Sequence, residues 1–123
     1  MSARIVIPLI PESVNHYTQH SKGRHFKNKR AQAFEAALPL YIRGQKVCGE
    51  RFSVSLRFVL GPKQHPDVDN LPKQVLDGLA RAGVFINYKG TPLSDNKVKR
   101  LVVDVIENDR ANCRTEIIVE AIS

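Results

Sequence analysis

Two aspartates, Asp67 and Asp69, stand two positions apart in the stretch HPDVDNLPKQVLDGL, residues 65–79. If this piece of chain is extended, both side chains leave it on the same face, about 6 to 7 Å apart along the strand. Two carboxylates at that spacing can close on one hard cation, and oxygen ligands suit Mg²⁺ or Mn²⁺. The pair alone is a weak signal, because D-x-D also forms turns and helix N-caps.

Two further residues could complete such a site. Lys73 lies four residues after Asp69, one helical turn further on, where its ammonium group could meet a phosphate. The competing interpretation is a salt bridge from Lys73 to Asp69 or Asp77, and the two roles are compatible. Asp95 is the one acid between Asp77 and Asp104, and its neighbours are basic, so it is the candidate third carboxylate. An aspartate in PLSDN is also a common turn former.

Together these side chains predict metal-assisted hydrolysis of a phosphodiester. A metal held by Asp67, Asp69 and Asp95 would polarise the phosphate and lower the pKa of a bound water. Lys73 would then neutralise the developing negative charge. The sequence contains no phosphate-binding loop, dinucleotide-binding glycine motif, serine-hydrolase elbow or zinc-protease motif. A nucleotide-sugar transferase, which D-x-D can also indicate, is disfavoured because the chain is short and lacks alternating strands and helices.

The charge of the chain indicates a polyanionic partner. Nineteen Lys and Arg against twelve acids leave a formal charge of +7, and no acid occurs from Ser13 to Phe34. Such a field favours nucleic acid, because neutralised phosphates release counterions. A solvated basic loop that only aids solubility is the lesser alternative. The residues predicted to contact DNA are Lys22, Arg24, Lys27, Lys29, Arg30 and Lys97.

Length and composition bound the remaining possibilities. The 123 residues, 42% of them hydrophobic, fit one folded domain over residues 1–123. Cys48 and Cys113 form no C-x-x-C motif, so neither a zinc knuckle nor a disulfide framework is predicted. The first apolar stretch is broken by Pro8 and Pro11, and no run reaches membrane-spanning length. We expect a cytoplasmic protein with reduced thiols, no membrane partner and no small-molecule cofactor.

The amino-terminal half predicts a strand, a loop and a helix. ARIVIPLI is β-branched and ended by proline, which is typical of a strand. Residues 11–28 form a long polar segment, with Gly23 as the expected turn. NKRAQAFEAALPLYIRG predicts a helix that kinks at Pro39 and stops at Gly44. Its apolar residues at helical spacing are Ala33, Phe34, Ala37, Leu38 and Tyr41.

The carboxyl-terminal half predicts the rest of the sheet. RFSVSLRFVL alternates apolar and polar residues and is the clearest strand. A second helix is expected from Asn70 to Ala82, with Leu71, Val75, Leu76 and Leu79 on one apolar stripe, capped by Asp69 or Asn70 and closed by Gly83. KVKRLVVDVIE and TEIIVEAI predict an antiparallel hairpin around the turn NDRAN. The fold class is therefore α+β, with a small mixed sheet of about four strands and two helices packed on it.

The sequence resembles the RusA-type endodeoxyribonucleases, which are Holliday junction resolvases. IPLIPESVNHYTQHSKGRHF resembles the opening strand and loop of that family, DVDNLPKQVLDGLARAGV its central helix, and LSDNKV its late acidic turn. By position, the resemblance makes Asp67, Asp69 and Asp95 the metal ligands and Lys73 the essential lysine. Two departures are Ser94, where the family often has a second acid, and a longer stretch between Gly83 and Asp95.

The resemblance further implies a Mg²⁺-dependent homodimer that nicks two opposing strands of a four-way DNA junction in recombination and repair. A symmetric dimer is also the simplest way for a chain with one candidate site to make two symmetric cuts. The alternative is a non-catalytic, structure-selective nucleic-acid-binding protein, in which Asp67 and Asp69 only cap a helix. Metal-dependent nicking distinguishes the two.

Overall fold

A computed structural model describes residues 2–11, 18–21, 24–27, 29–61, 71–107 and 112–122. The two α-helices are α1 (Lys29–Ile42) and α2 (Pro72–Arg81), and a short 3-10 helix spans Asp95–Lys97. The strands are β1 (Ser2–Ile7), β2 (Thr18–Ser21), β3 (Arg24–Lys27), β4 (Val47–Cys48), β5 (Arg51–Val59), β6 (Phe85–Ile86), β7 (Val98–Ile106) and β8 (Arg114–Ile122). No helix in these ranges is long and apolar enough to cross a membrane.

The main sheet has four strands in the order β1-β8-β5-β7. β8 pairs antiparallel with both β1 and β5, whereas β5 and β7 pair parallel. The parallel pair is joined by a long connection that contains α2 and the 3-10 helix. The prediction of an α+β fold with a mixed four-stranded sheet and two helices is confirmed.

The predicted hairpin of the last two strands is wrong. β7 and β8 do not pair with each other, because β5 lies between them. β5 is buried at six of its nine positions, whereas β7 has none that is fully buried. The strand with the most buried side chains belongs in the centre of a sheet, and a more exposed strand suits the edge.

One face of the sheet carries the core. Phe52, Val54, Leu56 and Phe58 of β5 are buried, which confirms the alternation predicted for that strand. The flanking strands contribute Ala3, Ile5, Ile7, Ile117 and Val119 to the same cluster, and the helices contribute Phe34, Leu38, Ile42, Leu71, Val75 and Leu79. At roughly 1.5–3 kcal/mol for each large apolar side chain, this burial is the main force that holds the helices on the sheet.

The first helix matches the prediction in position but not in every buried residue. Phe34 and Leu38 are buried, whereas Ala33 is exposed, contrary to expectation. The buried positions continue to Ile42, so the apolar stripe follows the i, i+4 spacing from Phe34 and leaves Ala33 beside it. The helix runs through Pro39 and ends before Gly44, whose φ of 72° is readily available to glycine.

The second helix begins later than the sequence predicts. Its first residue is Pro72, and Leu71 occupies the cap position without a side-chain hydrogen bond, so neither Asp69 nor Asn70 is the cap. Proline suits this first position because it has no amide hydrogen to leave unsatisfied and its φ is already helical. Leu71 is instead fully buried and fixes the start of the helix in the core.

The end of the second helix confirms Gly83 as its stop. The Gly83 amide donates to the Ala80 carbonyl and the Val84 amide donates to the Leu79 carbonyl, both at 3.1 Å. This Schellman arrangement needs a left-handed residue, and Gly83 supplies it with a φ of 75°. Within the helix, Gly78 lets the two helices approach closely, since a Cβ there would overlap the Leu38 side chain.

Two small strand pairs were not predicted. β2 and β3 pair antiparallel inside the segment expected to be a loop, with Ser21 opposite Arg24, and the turn predicted at Gly23 lies outside the described residues. β4 and β6 pair parallel, with Val47 opposite Phe85. Both pairs are short, and the first has little apolar alternation, so periodicity gave no strand signal.

Candidate active site

The α2 helix presents Lys73 at its first turn on the side away from the core. Leu71, Val75 and Leu79 are fully buried, and this spacing fixes the rotation of the helix. Lys73 lies off that stripe, and its side chain is 64% exposed. The ammonium group is thus held at the start of a well-anchored helix and is accessible to a phosphate from solution.

Lys73 makes an ion pair along its own helix. Its Nζ lies 3.5 Å from Oδ1 of Asp77, one turn further on, and the Asp77 side chain is 30% exposed. This is one of the two salt bridges that the sequence left open. An exposed pair of this kind contributes at most about 1 kcal/mol, so its larger effect is to orient the ammonium group.

Asp95 begins the 3-10 helix that leads directly into β7. Ser94 before it is extended, and the Lys97 amide donates to the Ser94 carbonyl at 3.2 Å. The Ser94 hydroxyl donates to Oδ1 of Asn96 at 2.6 Å, so Ser94 shapes the turn where the family often has a second acid. Asp95 is half-buried and Lys97 is exposed. Asp95 therefore lies at the start of a turn, with its side chain partly accessible.

The segment before Asp95 is folded rather than looped out. The side chain of Asn87 accepts the amides of Lys89 and Thr91, each at 2.9 Å, which makes a compact turn. The Leu93 amide then donates to the Phe85 carbonyl at 2.8 Å, and Leu93 packs on the core. The long stretch between Gly83 and Asp95 is therefore taken up by this turn, which returns the chain to the core two residues before Asp95.

The 3-10 helix contacts α2, so the element that carries Asp95 lies against the helix that carries Lys73 and Asp77. Sequence spacing could not show this contact, because it is formed between elements more than ten residues apart. Asp67 and Asp69 lie outside the described residues. Among the residues that are described, no three His, Cys, Asp or Glu side chains group closely enough to hold a metal ion. The predicted ligand set therefore stays a prediction that depends on Asp67 and Asp69.

The predicted DNA-contacting residues fall on three elements. Arg24 and Lys27 are the first and last residues of β3, and Lys29 and Arg30 open the first turn of α1. Lys97 ends the 3-10 helix two residues after Asp95, and Lys22 lies outside the described residues. The two-stranded ribbon of β2 and β3 was not predicted from the sequence, although a glycine in a polar segment was a usable turn signal.

Comparison with known families gives a match over residues 8–120 to the family described as Endodeoxyribonuclease RusA. Comparison with curated proteins finds no match. The family match covers nearly the whole of the 123-residue chain and includes all four predicted catalytic positions. It favours a nuclease that acts on branched DNA over the non-catalytic alternative. Enzymes of this family in general depend on a divalent metal. The chain belongs to the RusA family of endodeoxyribonucleases, hydrolases that act on DNA.

Proposed function

We propose that residues 1–123 form a single nuclease domain that resolves four-way DNA junctions as a homodimer, by paired phosphodiester hydrolysis with Mg²⁺ or Mn²⁺. The observation that carries the proposal is the contact between the 3-10 helix of Asp95 and the α2 helix of Lys73. The contact is between the two elements that carry Lys73 and Asp95, which are separate in sequence. The other two predicted site residues, Asp67 and Asp69, precede Leu71, whose burial anchors the start of α2.

The donor set fits a hard divalent cation. Asp67, Asp69 and Asp95 would hold it through carboxylate oxygens, and Asp95 is half-buried rather than enclosed, so substrate oxygens could also reach it. When bound, such a metal supplies Lewis-acid polarisation of the scissile phosphate and a water of lowered pKa. Asp77 is already engaged by Lys73, so it is not included among the ligands.

Lys73 acts on charge rather than on the metal. Its side chain is 64% exposed and its ammonium group lies 3.5 Å from Asp77, so it can exchange this partner for a non-bridging phosphate oxygen. Negative charge grows on the phosphate as hydrolysis proceeds, and a fixed ammonium group stabilises that charge more than it stabilises the ground state. Lys73 thereby lowers the barrier to hydrolysis without being a metal ligand.

The basic residues bring the DNA to the site. Lys97, next to the Asp95 turn, is exposed, and the strand that follows adds Lys99 and Arg100, which are also exposed. Phosphates that approach this surface displace counterions, so binding should weaken steeply with salt. DNA binding then depends on the basic residues. The carboxylates contribute to cutting only, because without a bound metal their negative charge repels the phosphate.

The test separates cutting from binding. Four-way junction, nicked duplex and linear duplex are incubated with Mg²⁺ or with EDTA, using the wild type and the Asp67→Asn, Asp69→Asn and Asp95→Asn variants. We expect paired symmetric nicks on the junction with Mg²⁺ only, loss of nicking in each variant, and retained junction binding in a gel-shift assay. Glu50→Gln, an exposed carboxylate outside the site, should cut like the wild type. Variants that still cut at the wild-type rate would refute the assignment of the ligands.

A further inference from the structure

The stretch between Gly83 and Asp95, which is longer than the family pattern, carries one exposed aromatic ring. Tyr88 is 77% exposed, the highest value for a large apolar side chain in the described part of the chain. Single exposed apolar residues are common on protein surfaces, so exposure alone indicates nothing. Tyr88 differs from such residues in the backbone that holds it and in its place beside the candidate active site.

The turn that carries Tyr88 is fixed by several hydrogen bonds. The Gly90 amide donates to the Asn87 carbonyl and the Asn87 amide donates to the Thr91 carbonyl, both at 2.9 Å. The Asn87 side chain also accepts the amides of Lys89 and Thr91. Gly90 has a φ of 83°, a left-handed conformation that glycine adopts without strain. Because the backbone is held in this way, Tyr88 loses little conformational entropy when its ring binds a partner.

The hydrophobic core anchors this turn. β6 leads into the turn, and its Phe85 is fully buried, with its ring centroid 5.0 Å from that of Phe52 in β5. Ile86 and Pro92 form an antiparallel bridge across the base of the turn. The turn is therefore a rigid extension of the folded core, and Tyr88 lies at its exposed end.

The position of the turn along the chain keeps Tyr88 close to Asp95. The seven residues from Tyr88 to Asp95 span at most about 25 Å when extended, and the bridge of Ile86 with Pro92 shortens that path. One turn of duplex DNA is about 34 Å long. Tyr88 and Asp95 thus lie within one turn of duplex of each other, so one DNA molecule can contact both.

The surroundings of Tyr88 favour a flat partner. Lys89, Gly90 and Thr91 are exposed, and none of them has a large apolar side chain. A protein partner would need an apolar patch of several hundred Å², whereas a nucleobase needs only the face of one ring, on which it stacks. In a linear duplex the base faces are covered by neighbouring base pairs. At the branch point of a junction this stacking can be broken, which leaves a base face to be covered.

We propose that Tyr88 is a base-stacking residue, which packs on a base exposed at the branch point of the DNA and adds selectivity for branched over linear DNA. The inference rests on the proposed function for its substrate, a four-way junction, but not on the identity of the metal ligands. Contacts of basic residues with phosphates are available on any duplex and carry little selectivity. A stacking contact that only the branch point offers lets the same basic surface distinguish the two kinds of DNA.

The first test compares binding to a four-way junction and to linear duplex in EDTA, by fluorescence anisotropy of labelled DNA. Tyr88→Ala should weaken junction binding by roughly 5- to 100-fold, the effect of removing a ring that stacks on one base, and should change duplex binding by less than about two-fold. Tyr88→Phe keeps the ring and should bind like the wild type. Leu40→Ala removes a side chain on α1 that is 72% exposed and should leave both affinities unchanged. Circular dichroism establishes that each variant is folded.

The second test detects stacking by fluorescence. The chain has no tryptophan, so Tyr88→Trp introduces a single indole, whose emission is quenched when it stacks on a base. We expect a saturating concentration of junction to quench this emission and saturating linear duplex to leave it nearly unchanged. Leu40→Trp places the indole at a similarly exposed position on α1, and neither DNA should quench it. Equal quenching of Tyr88→Trp by both DNAs, or quenching by neither, would overturn the inference.

The outcomes distinguish this inference from the proposed function. Unchanged junction binding in Tyr88→Ala, with paired nicking by the wild type, refutes the stacking role and leaves the proposed function standing. An equal loss of junction binding in Tyr88→Phe and Tyr88→Ala assigns the contact to the hydroxyl group and also refutes stacking. Junction-specific quenching of Tyr88→Trp, with no paired nicking by the wild type, supports the stacking role and refutes the proposed function.

Discussion

The α2 helix has two sides that differ in what they do. Toward the core, Leu71, Val75 and Leu79 are fully buried. Toward solvent, the side chain of Lys73 is 64% exposed and that of Asp77 is 30% exposed. The first side makes apolar contacts with many neighbours, whereas the second makes one weak ion pair that a phosphate can replace. The helix thus separates the residues that hold it in place from those that carry chemistry.

This separation means that stability and activity should respond to different substitutions on one ten-residue helix. A buried leucine contributes about 1.5–3 kcal/mol to folding by its removal from water. The exposed pair of Lys73 and Asp77 contributes about 0–1 kcal/mol. Changes on the core side should therefore alter the free energy of unfolding, and changes on the solvent side should alter the nicking rate.

The largest effect is expected on the core side, from Leu79→Ala. The substitution removes a fully buried side chain between the helices and the sheet, and it should lower the free energy of unfolding by about 2–5 kcal/mol. Urea unfolding followed by circular dichroism measures this change. The nicking rate per folded molecule should stay near the wild-type rate. A loss below about 1 kcal/mol would mean that the site collapses around the gap, or that α2 is not anchored by this face.

On the solvent side, Lys73→Ala should leave the free energy of unfolding within about 0.5 kcal/mol of the wild type. It should lower the single-turnover nicking rate by about 10²–10³-fold, the usual effect of removing one charge-stabilising donor. Junction binding should fall by a few-fold at most. Lys89→Ala, an exposed lysine in the Asn87 turn, is the control and should nick normally. If Lys73→Ala lowered the free energy of unfolding as much as a core substitution does, the two sides of the helix would not have separate roles.

The sequence predicted the core side of α2 better than its start. The apolar stripe and the stop at Gly83 depend on local rules that hold in any fold, and of the four predicted stripe residues Leu71, Val75 and Leu79 are fully buried while Leu76 is partly buried. The start of the helix was harder to predict, because both a polar N-cap at Asp69 or Asn70 and a proline in the first turn fitted the sequence. The helix begins at Pro72, where Leu71 before it can be buried in the core. The Lys73–Asp77 pair was also predictable, since its partners are four residues apart on one helix.

Contacts between elements that are distant in sequence could not be predicted from local sequence patterns. The order of the sheet depends on which strand has the most buried side chains, so β7 and β8, which follow each other in sequence, were wrongly predicted to pair. The short pairs of β2 with β3 and of β4 with β6 have too few residues to show a period. The contact of the Asp95 turn with α2 likewise follows from the Asn87 turn and the burial of Leu93, which only the folded chain brings together.

The smallest effect on the nicking rate should come from Asp77→Asn, a substitution that tests whether Asp77 positions Lys73. The amide keeps the size of the side chain but removes the charge that faces the ammonium group at 3.5 Å. Stability should change by less than about 1 kcal/mol, because exposed ion pairs contribute little. The nicking rate should fall by a few-fold, since Lys73 is then less well oriented. Junction binding should tighten slightly at low salt, since one repulsive charge is gone.

Asp77→Glu is the conservative control, because it restores the charge at the same position. If Asp77 orients Lys73, Asp77→Glu should recover much of the nicking rate that Asp77→Asn loses, and neither variant should affect nicking once Lys73 is already alanine. If the losses of nicking rate were additive in the double variant Lys73→Ala/Asp77→Asn, Asp77 would act on the site independently of Lys73. Two residues that act as a unit give non-additive losses. The cycle therefore measures the coupling of the two side chains directly, and it does so where the structure shows them in contact.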